Sequence, residues 1–158
     1  MEFELEKKFL LERLPEGLNT PVMIQQGYLY TEPFELRVRK KGAQCFLTYK
    51  SEGDEERVEW EREIPEMIFD ELLTKKVGRI IKKNRYQLER DGHLYEFDEY
   101  LDELEGLLIV EIEFQSREDY DSFHAPTWLG KTIDVTMDPQ YKNKKMAMMD
   151  RSGIKSVC

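Results

Sequence analysis

Phe34-Glu35-Leu36-Arg37-Val38-Arg39-Lys40 and, after the turn Lys41-Gly42-Ala43, Gln44-Cys45-Phe46-Leu47-Thr48-Tyr49-Lys50-Ser51 decide the fold. In the first run Glu35, Arg37 and Arg39 alternate with Leu36 and Val38; in the second Thr48 and Lys50 alternate with Leu47 and Tyr49. A period of two is the mark of a β-strand, whose successive side chains point to opposite faces. Each run is therefore a strand with one charged and one apolar face.

Working outward, the same alternation recurs along most of the chain. Residues 2–10 carry Glu2, Glu4, Glu6 and Lys8 on one side. Residues 57–64 set Glu59, Glu61 and Glu63 against Val58, Trp60 and Ile64. Residues 79–90 carry Lys83 and Arg85, and 93–100 carry Glu96 and Asp98 opposite Tyr95 and Phe97. Residues 107–114 set Glu111 and Glu113 against Val110, Ile112 and Phe114. Residues 23–30 are a strand candidate without the charged face. Asp91-Gly92 joins two of the strands as a tight hairpin. Pro65 opens a helix to about Leu73, Ser116 caps another over 117–123, and a last helix spans about 140–149. Eight strands with three short helices give an α+β domain dominated by antiparallel sheet.

The 158 residues suit one domain, read as 1–150, with 151–158 expected to be a disordered tail. With 24 Lys+Arg against 33 Asp+Glu, the formal net charge is −9, which disfavours generic binding to nucleic acid or anionic lipid. The 8 Tyr, 8 Phe and 2 Trp argue against disorder. Cys45 and Cys158 are too few for a disulfide framework. His93 and His124 lack zinc spacing and are read as surface residues. The longest aliphatic run, Leu107-Leu108-Ile109-Val110, is too short for a membrane span, and Met1-Glu2-Phe3-Glu4 has no apolar signal region. A cytoplasmic location is expected, as a monomer or homodimer.

The charges are sorted as well as alternating. Strands at 2–10, 57–64 and 107–114 are carboxylate-rich, whereas those at 34–40, 44–51 and 79–90 are rich in Arg and Lys. A solvated face gains little from such sorting, because an exposed ion pair contributes at most ~1 kcal/mol. Eight strands are enough to close a barrel that holds a small ligand. An inward charged face would be costly to desolvate when empty. It would be satisfied by a polyanion, met by Arg and Lys, with divalent cations held by carboxylates.

Taken in chain order, several segments carry a resemblance. They are Glu4-Leu5-Glu6-Lys7-Lys8-Phe9, Gln26-Gly27-Tyr28-Leu29, Glu35-Leu36-Arg37-Val38-Arg39, Leu47-Thr48-Tyr49-Lys50 and Glu59-Trp60-Glu61. Lys82-Lys83-Asn84-Arg85, Tyr95-Glu96-Phe97-Asp98, Val110-Glu111-Ile112-Glu113 and Tyr141-Lys142-Asn143-Lys144 complete the series. Over residues 2–149 the chain resembles the CYTH superfamily of triphosphate tunnel metalloenzymes, most closely its short single-domain bacterial members.

The resemblance implies a closed eight-stranded antiparallel β-barrel whose charged faces point inward. It implies hydrolysis of a triphosphate, foremost inorganic tripolyphosphate, by water attack on a terminal phosphorus, with Mg²⁺ or Mn²⁺ as cofactor. Glu4, Glu6, Glu59, Glu61, Glu111 and Glu113 match the metal positions. Lys8, Arg37, Arg39, Lys50 and Arg85 match phosphate contacts, with Tyr28 packing beside the channel. Lys83 matches a lysine near the attacking water, and Glu61 shares that catalytic role. Where relatives carry basic residues before the tyrosine, this chain has Pro139 and Gln140. Lys7 stands where arginine is common and points outward by parity. Alternatives on the same tunnel are a class IV adenylyl cyclase, a thiamine triphosphatase, or a non-catalytic binder of polyphosphate or nucleotide.

Overall fold

The computed structural model describes residues 2–3, 5–52 and 56–157, the side chains of residues 2, 3, 56 and 57 excepted. The strands among them are β1 (Glu2–Phe3), β2 (Glu6–Leu11), β3 (Val22–Tyr30), β4 (Glu35–Lys41), β5 (Gln44–Lys50) and β6 (Glu56–Arg57). They continue as β7 (Glu59–Ile64), β8 (Val77–Arg90), β9 (His93–Tyr100), β10 (Leu108–Glu113) and β11 (Thr132–Asp134). The helices are α1 (Glu66–Leu73), α2 (Arg117–Ser122) and α3 (Asn143–Met146).

Nine strands form one antiparallel sheet in the order β11-β2-β10-β9-β8-β3-β4-β5-β7, and β1 pairs with β6 apart from it. The expected closed eight-stranded barrel is therefore corrected to an open sheet of nine. The physical reason lies at β2. Its outer edge is taken by β11, with Leu11, Leu10 and Phe9 opposite Thr132, Ile133 and Asp134. The Val135 amide and the Thr136 hydroxyl continue that contact at Lys8. The edge that closure onto β7 would need is thus already hydrogen-bonded. The β1–β6 ladder lies on the chain just before β2 and β7, and so ties the two sides of the sheet together without closing it.

The sheet's inner face changes character along each strand. Lys8 gives way to Leu10, Glu111 to Ile109, Asp98 to Tyr100 and Lys83 to Ile81, each two positions away along its strand. These apolar residues gather with Tyr28, Leu104, Leu107, Tyr141, Met146 and Ile154 into one buried cluster. Half of the interior is charged, and the other half is an apolar plug. On the outer face Phe9, Leu11, Tyr95, Phe97, Val110, Ile112 and Phe114 pack under Leu129, Tyr120 and Phe123. Helix α1 covers β3–β5 by seating Phe69 on Val38 and Cys45, a burial worth about 1.5–3 kcal/mol.

Several local expectations hold. The Asp91-Gly92 turn has positive φ at both residues, 52° and 78°, and Ser116 accepts the Asp119 amide to cap α2. Pro65 caps α1 rather than opening it. The last helix is shorter than expected: a 3₁₀ turn at Pro139–Tyr141 precedes the four-residue α3. Residues 151–157 do not behave as the disordered tail expected. Ile154 is 1% exposed in the apolar plug, and the Tyr141 hydroxyl donates to the Lys155 carbonyl at 2.9 Å. His93 is half-buried rather than fully on the surface; its ring packs edge-on against Phe114 and Phe123.

Candidate active site

The charged half of the interior encloses a cavity of about 760 Å³. Its wall is built by strand parity. In β4, Glu35, Arg37 and Arg39 face inward while Leu36 and Val38 face α1 or solvent. Antiparallel register then lines up rows across the wall. Glu35 sits opposite Lys50, and Lys50 opposite Glu59; Arg37 sits opposite Thr48, and Thr48 opposite Glu61. On the other wall Lys8 faces Glu111, and Glu111 faces Glu96. Arg85 projects between the two from β8.

Of the residues expected at the site, Glu6, Lys8, Tyr28, Arg37, Arg39, Lys50, Glu59, Glu61, Arg85 and Glu111 all line this cavity. Glu4 lies outside the described residues. Glu113 is exposed, across from Glu6 in the ladder, and does not line the cavity. Lys83 differs from its expected placement beside attacking water. It has 0% exposure beneath the cavity floor, and its ammonium lies 2.8 Å from Asp98 Oδ2. Parity put it on the inner face correctly, but parity carries no depth. Lys7, expected to point out, packs over the Tyr120 ring.

Further lining residues were expected on charged faces or in the family series but given no site role. Glu35 and Glu96 share inward faces with residues that were, as parity places them. Lys142, Asn143 and Lys144 close one side of the cavity. They supply the basic charge that Pro139 and Gln140 do not. The Lys8 ammonium donates to the Tyr141 carbonyl at 3.0 Å, and Tyr100 donates to Asn143 Oδ1 at 2.8 Å. Gly78 lets this segment approach: φ is +68°, and a Cβ there would come within 2.2 Å of the Ala147 carbonyl oxygen.

The electrostatics are those of a site built around charge. Arg37 and Arg39 are held close together, with Arg39 Nε donating to Gln26 Oε1 at 3.0 Å and Gln26 donating to the Tyr28 hydroxyl at 2.8 Å. Burial, then the charges of Arg37 and Arg85, brings the Arg39 pKa down to about 10. Burial pushes the Tyr28 hydroxyl up to about 12. For Glu111, burial acts upward, but Lys8 and Arg85 outweigh it and hold the carboxyl below its usual range. Arg37 Nε and Glu35 Oε2 are buried without a hydrogen-bond partner among the described residues. An unpaired buried guanidinium nitrogen is expensive, and an anionic oxygen would satisfy it.

The carboxylates at the cavity are hard oxygen donors, with no Cys or His among them. No three such groups converge on one point among the described residues. That set fits Mg²⁺ or Mn²⁺ held by one or two carboxylates together with substrate phosphate oxygens, as these ions are commonly bound.

A curved antiparallel sheet wrapped around opposed banks of cations and carboxylates defines a polyanion-binding tunnel protein. No family model matches the chain. An inorganic triphosphatase of Nitrosomonas europaea is 40% identical over 148 residues, covering 92% of this chain and 97% of its own. One from Acetivibrio thermocellus is 35% identical, covering 90% and 92%. The crystal structure of an inorganic triphosphatase superposes with a TM-score of 0.74 at 38% identity, over 94% of this chain and 97% of that one. A putative adenylate cyclase from Bacillus halodurans, 16% identical with a TM-score of 0.57, covering 94% and 92%, shares the fold. This chain belongs to the inorganic triphosphatases of the CYTH triphosphate-tunnel superfamily.

Proposed function

We propose that the chain is a triphosphatase that hydrolyses inorganic tripolyphosphate to pyrophosphate and orthophosphate. The observation that carries this reading is the cationic bank of Lys8, Arg37, Arg39, Lys50 and Arg85, which shares one cavity with Glu6, Glu59, Glu61 and Glu111. Family membership at 40% and 35% identity over nearly the whole chain supports it.

Phosphoryl transfer is catalysed mainly by positioning and charge stabilisation. Arg37 and Arg39 grip phosphate oxygens from β4, Lys50 from β5, Arg85 from β8 and Lys8 from β2. Glu6, Glu59, Glu61 and Glu111, together with Glu4 from the family resemblance, would hold Mg²⁺ or Mn²⁺. Such an ion, when bound, neutralises phosphate charge and makes the terminal phosphorus a better electrophile. Glu61 accepts the Thr48 hydroxyl at 2.8 Å on Oε2. This fixes its carboxylate and leaves Oε1 to orient water for in-line attack and to take its proton. The apolar plug of Leu10, Ile109, Tyr100 and Ile81 ends the charged channel, which keeps the polyanion in register with the cations.

Phosphate release from tripolyphosphate, ATP and thiamine triphosphate, each with Mg²⁺, Mn²⁺ or EDTA, tests the reading. Fast, EDTA-sensitive release from tripolyphosphate supports it. Release from ATP or thiamine triphosphate alone would replace it, and binding without any release would leave a polyphosphate-binding protein.

A further inference from the structure

Asp98 does not line the cavity, yet three nitrogens of two cations converge on it. It lies on β9 directly opposite Arg85 of β8 and is 0% exposed. Arg85 grips it with both forks: Nε donates to Oδ1 at 2.7 Å and Nη2 to Oδ2 at 2.8 Å. The Lys83 ammonium sits 2.8 Å from the same Oδ2, and 5.3 Å above the Tyr100 ring. Bidentate pairing fixes the plane of a guanidinium as well as its place. Arg85 Nη1, 3.5 Å from Glu96 of the cavity wall, is the nitrogen left directed at the cavity.

Stability does not explain such a triad. Two cations and an anion are all taken out of water here, and buried ion groups are commonly matched or bettered by apolar replacements. What the triad does achieve is a single orientation of Arg85 and a fixed floor beneath it. Through Tyr100, whose hydroxyl donates to Asn143, the floor also meets the segment that closes the cavity.

Resting on the triphosphatase reading, we propose that Asp98 is a positioning residue. From beneath the floor it locks Arg85 and Lys83 into the one arrangement that presents Arg85 Nη1 to a phosphate oxygen. It touches no substrate and acts through these two side chains.

The test uses Asp98→Asn, which keeps the shape and one acceptor oxygen but removes the charge. Wild type, Asp98→Asn, Arg85→Met and the double variant are compared by kcat and KM for tripolyphosphate. Tripolyphosphate affinity is measured in parallel by calorimetry in EDTA. A misplacement of about an ångström costs on the order of 100-fold in kcat, and loosening a partner that orients a binding group costs roughly 10-fold in affinity. Both losses are expected for Asp98→Asn in the wild-type background, with little further loss in the Arg85→Met background. Wild-type kcat and affinity in Asp98→Asn, or equal losses in both backgrounds, would overturn the proposal. If Asp98→Asn does not fold, the same cycle is run with Lys83→Met present throughout, which removes the second buried charge. If the wild type binds tripolyphosphate without releasing phosphate, the triphosphatase reading fails alone. The calorimetric cycle then still decides the role of Asp98.

Discussion

Replacing Arg39 by Met should separate binding from folding. The Arg39 guanidinium is largely buried, and lost hydration, then the charges of Arg37 and Arg85, takes its pKa down to about 10. At ~1.36 kcal/mol per pKa step, that depression stands for an electrostatic cost on the order of 3 kcal/mol. Its hydrogen bond to Gln26 returns about 2 kcal/mol, and a Met side chain keeps most of the packing. The variant should therefore be more stable than wild type without substrate by ~1 kcal/mol, seen as a rise of about 2–4 °C in Tm. Tripolyphosphate hydrolysis should fall at least ~100-fold in kcat/KM, the scale of removing one donor to developing charge. Thermal melts and phosphate release on the same preparations check both. Tripolyphosphate at about 100 times Kd should stabilise the wild type by ~2.7 kcal/mol and the variant by less. A Tm drop of several degrees, or undiminished hydrolysis, would refute the view that Arg39 is held in place for a polyanion.

Gly78→Ala should lower Tm by several degrees. It adds left-handed strain of about 1–2 kcal/mol at φ +68° and drives a Cβ to 2.2 Å from the Ala147 carbonyl oxygen; an unchanged melt would contradict the packing of the C-terminal segment. Thr48→Val removes the 2.8 Å hydrogen bond to Glu61, and should lower kcat by roughly 10-fold, the rate equivalent of about 1.4 kcal/mol, with little change in Tm. An unchanged kcat would free Glu61 from its assigned role. For pH, burial acts to raise the Asp98 pKa, but Lys83 and Arg85 outweigh it and hold the carboxyl well below its usual range. The unfolded chain then binds the Asp98 proton first, near pH ~3.9. The stabilisation is complete above that value and drains away as pH falls below it. Between pH 5 and 3 the wild type should lose more Tm than Asp98→Asn; equal slopes would contradict the sign.

Much of the site was legible because it is written in strand parity. Arg37 and Arg39, Glu59 and Glu61, Lys8 and Glu111 each fall two apart or across a ladder, and period two alone sends them to one face. What periodicity does not carry is depth and closure. Lys83 shares the face of Arg85, yet sits below the cavity because Asp98 draws it down, an attraction between neighbouring strands that no local pattern encodes. Gln26 points inward on β3 beside Tyr28 and holds Arg39, but it is neutral, and a sorting of charges gives no reason to place it at the site. Thr132-Ile133-Asp134 is too short and too polar to read as a strand, and its pairing with β2 decides that the sheet stays open. Ile154 and Val157 are isolated apolar residues in a polar tail, and only the plug formed by distant strands makes a place for them.

Whether the charged cavity cleaves a terminal phosphate from tripolyphosphate is read from ³¹P NMR of the mixture with Mg²⁺. The tripolyphosphate signals should give way to pyrophosphate and orthophosphate in equal amounts with the wild type, and stay unchanged with Glu111→Gln. Tripolyphosphate that persists with the wild type, or that is consumed equally by the variant, would contradict cleavage in this cavity.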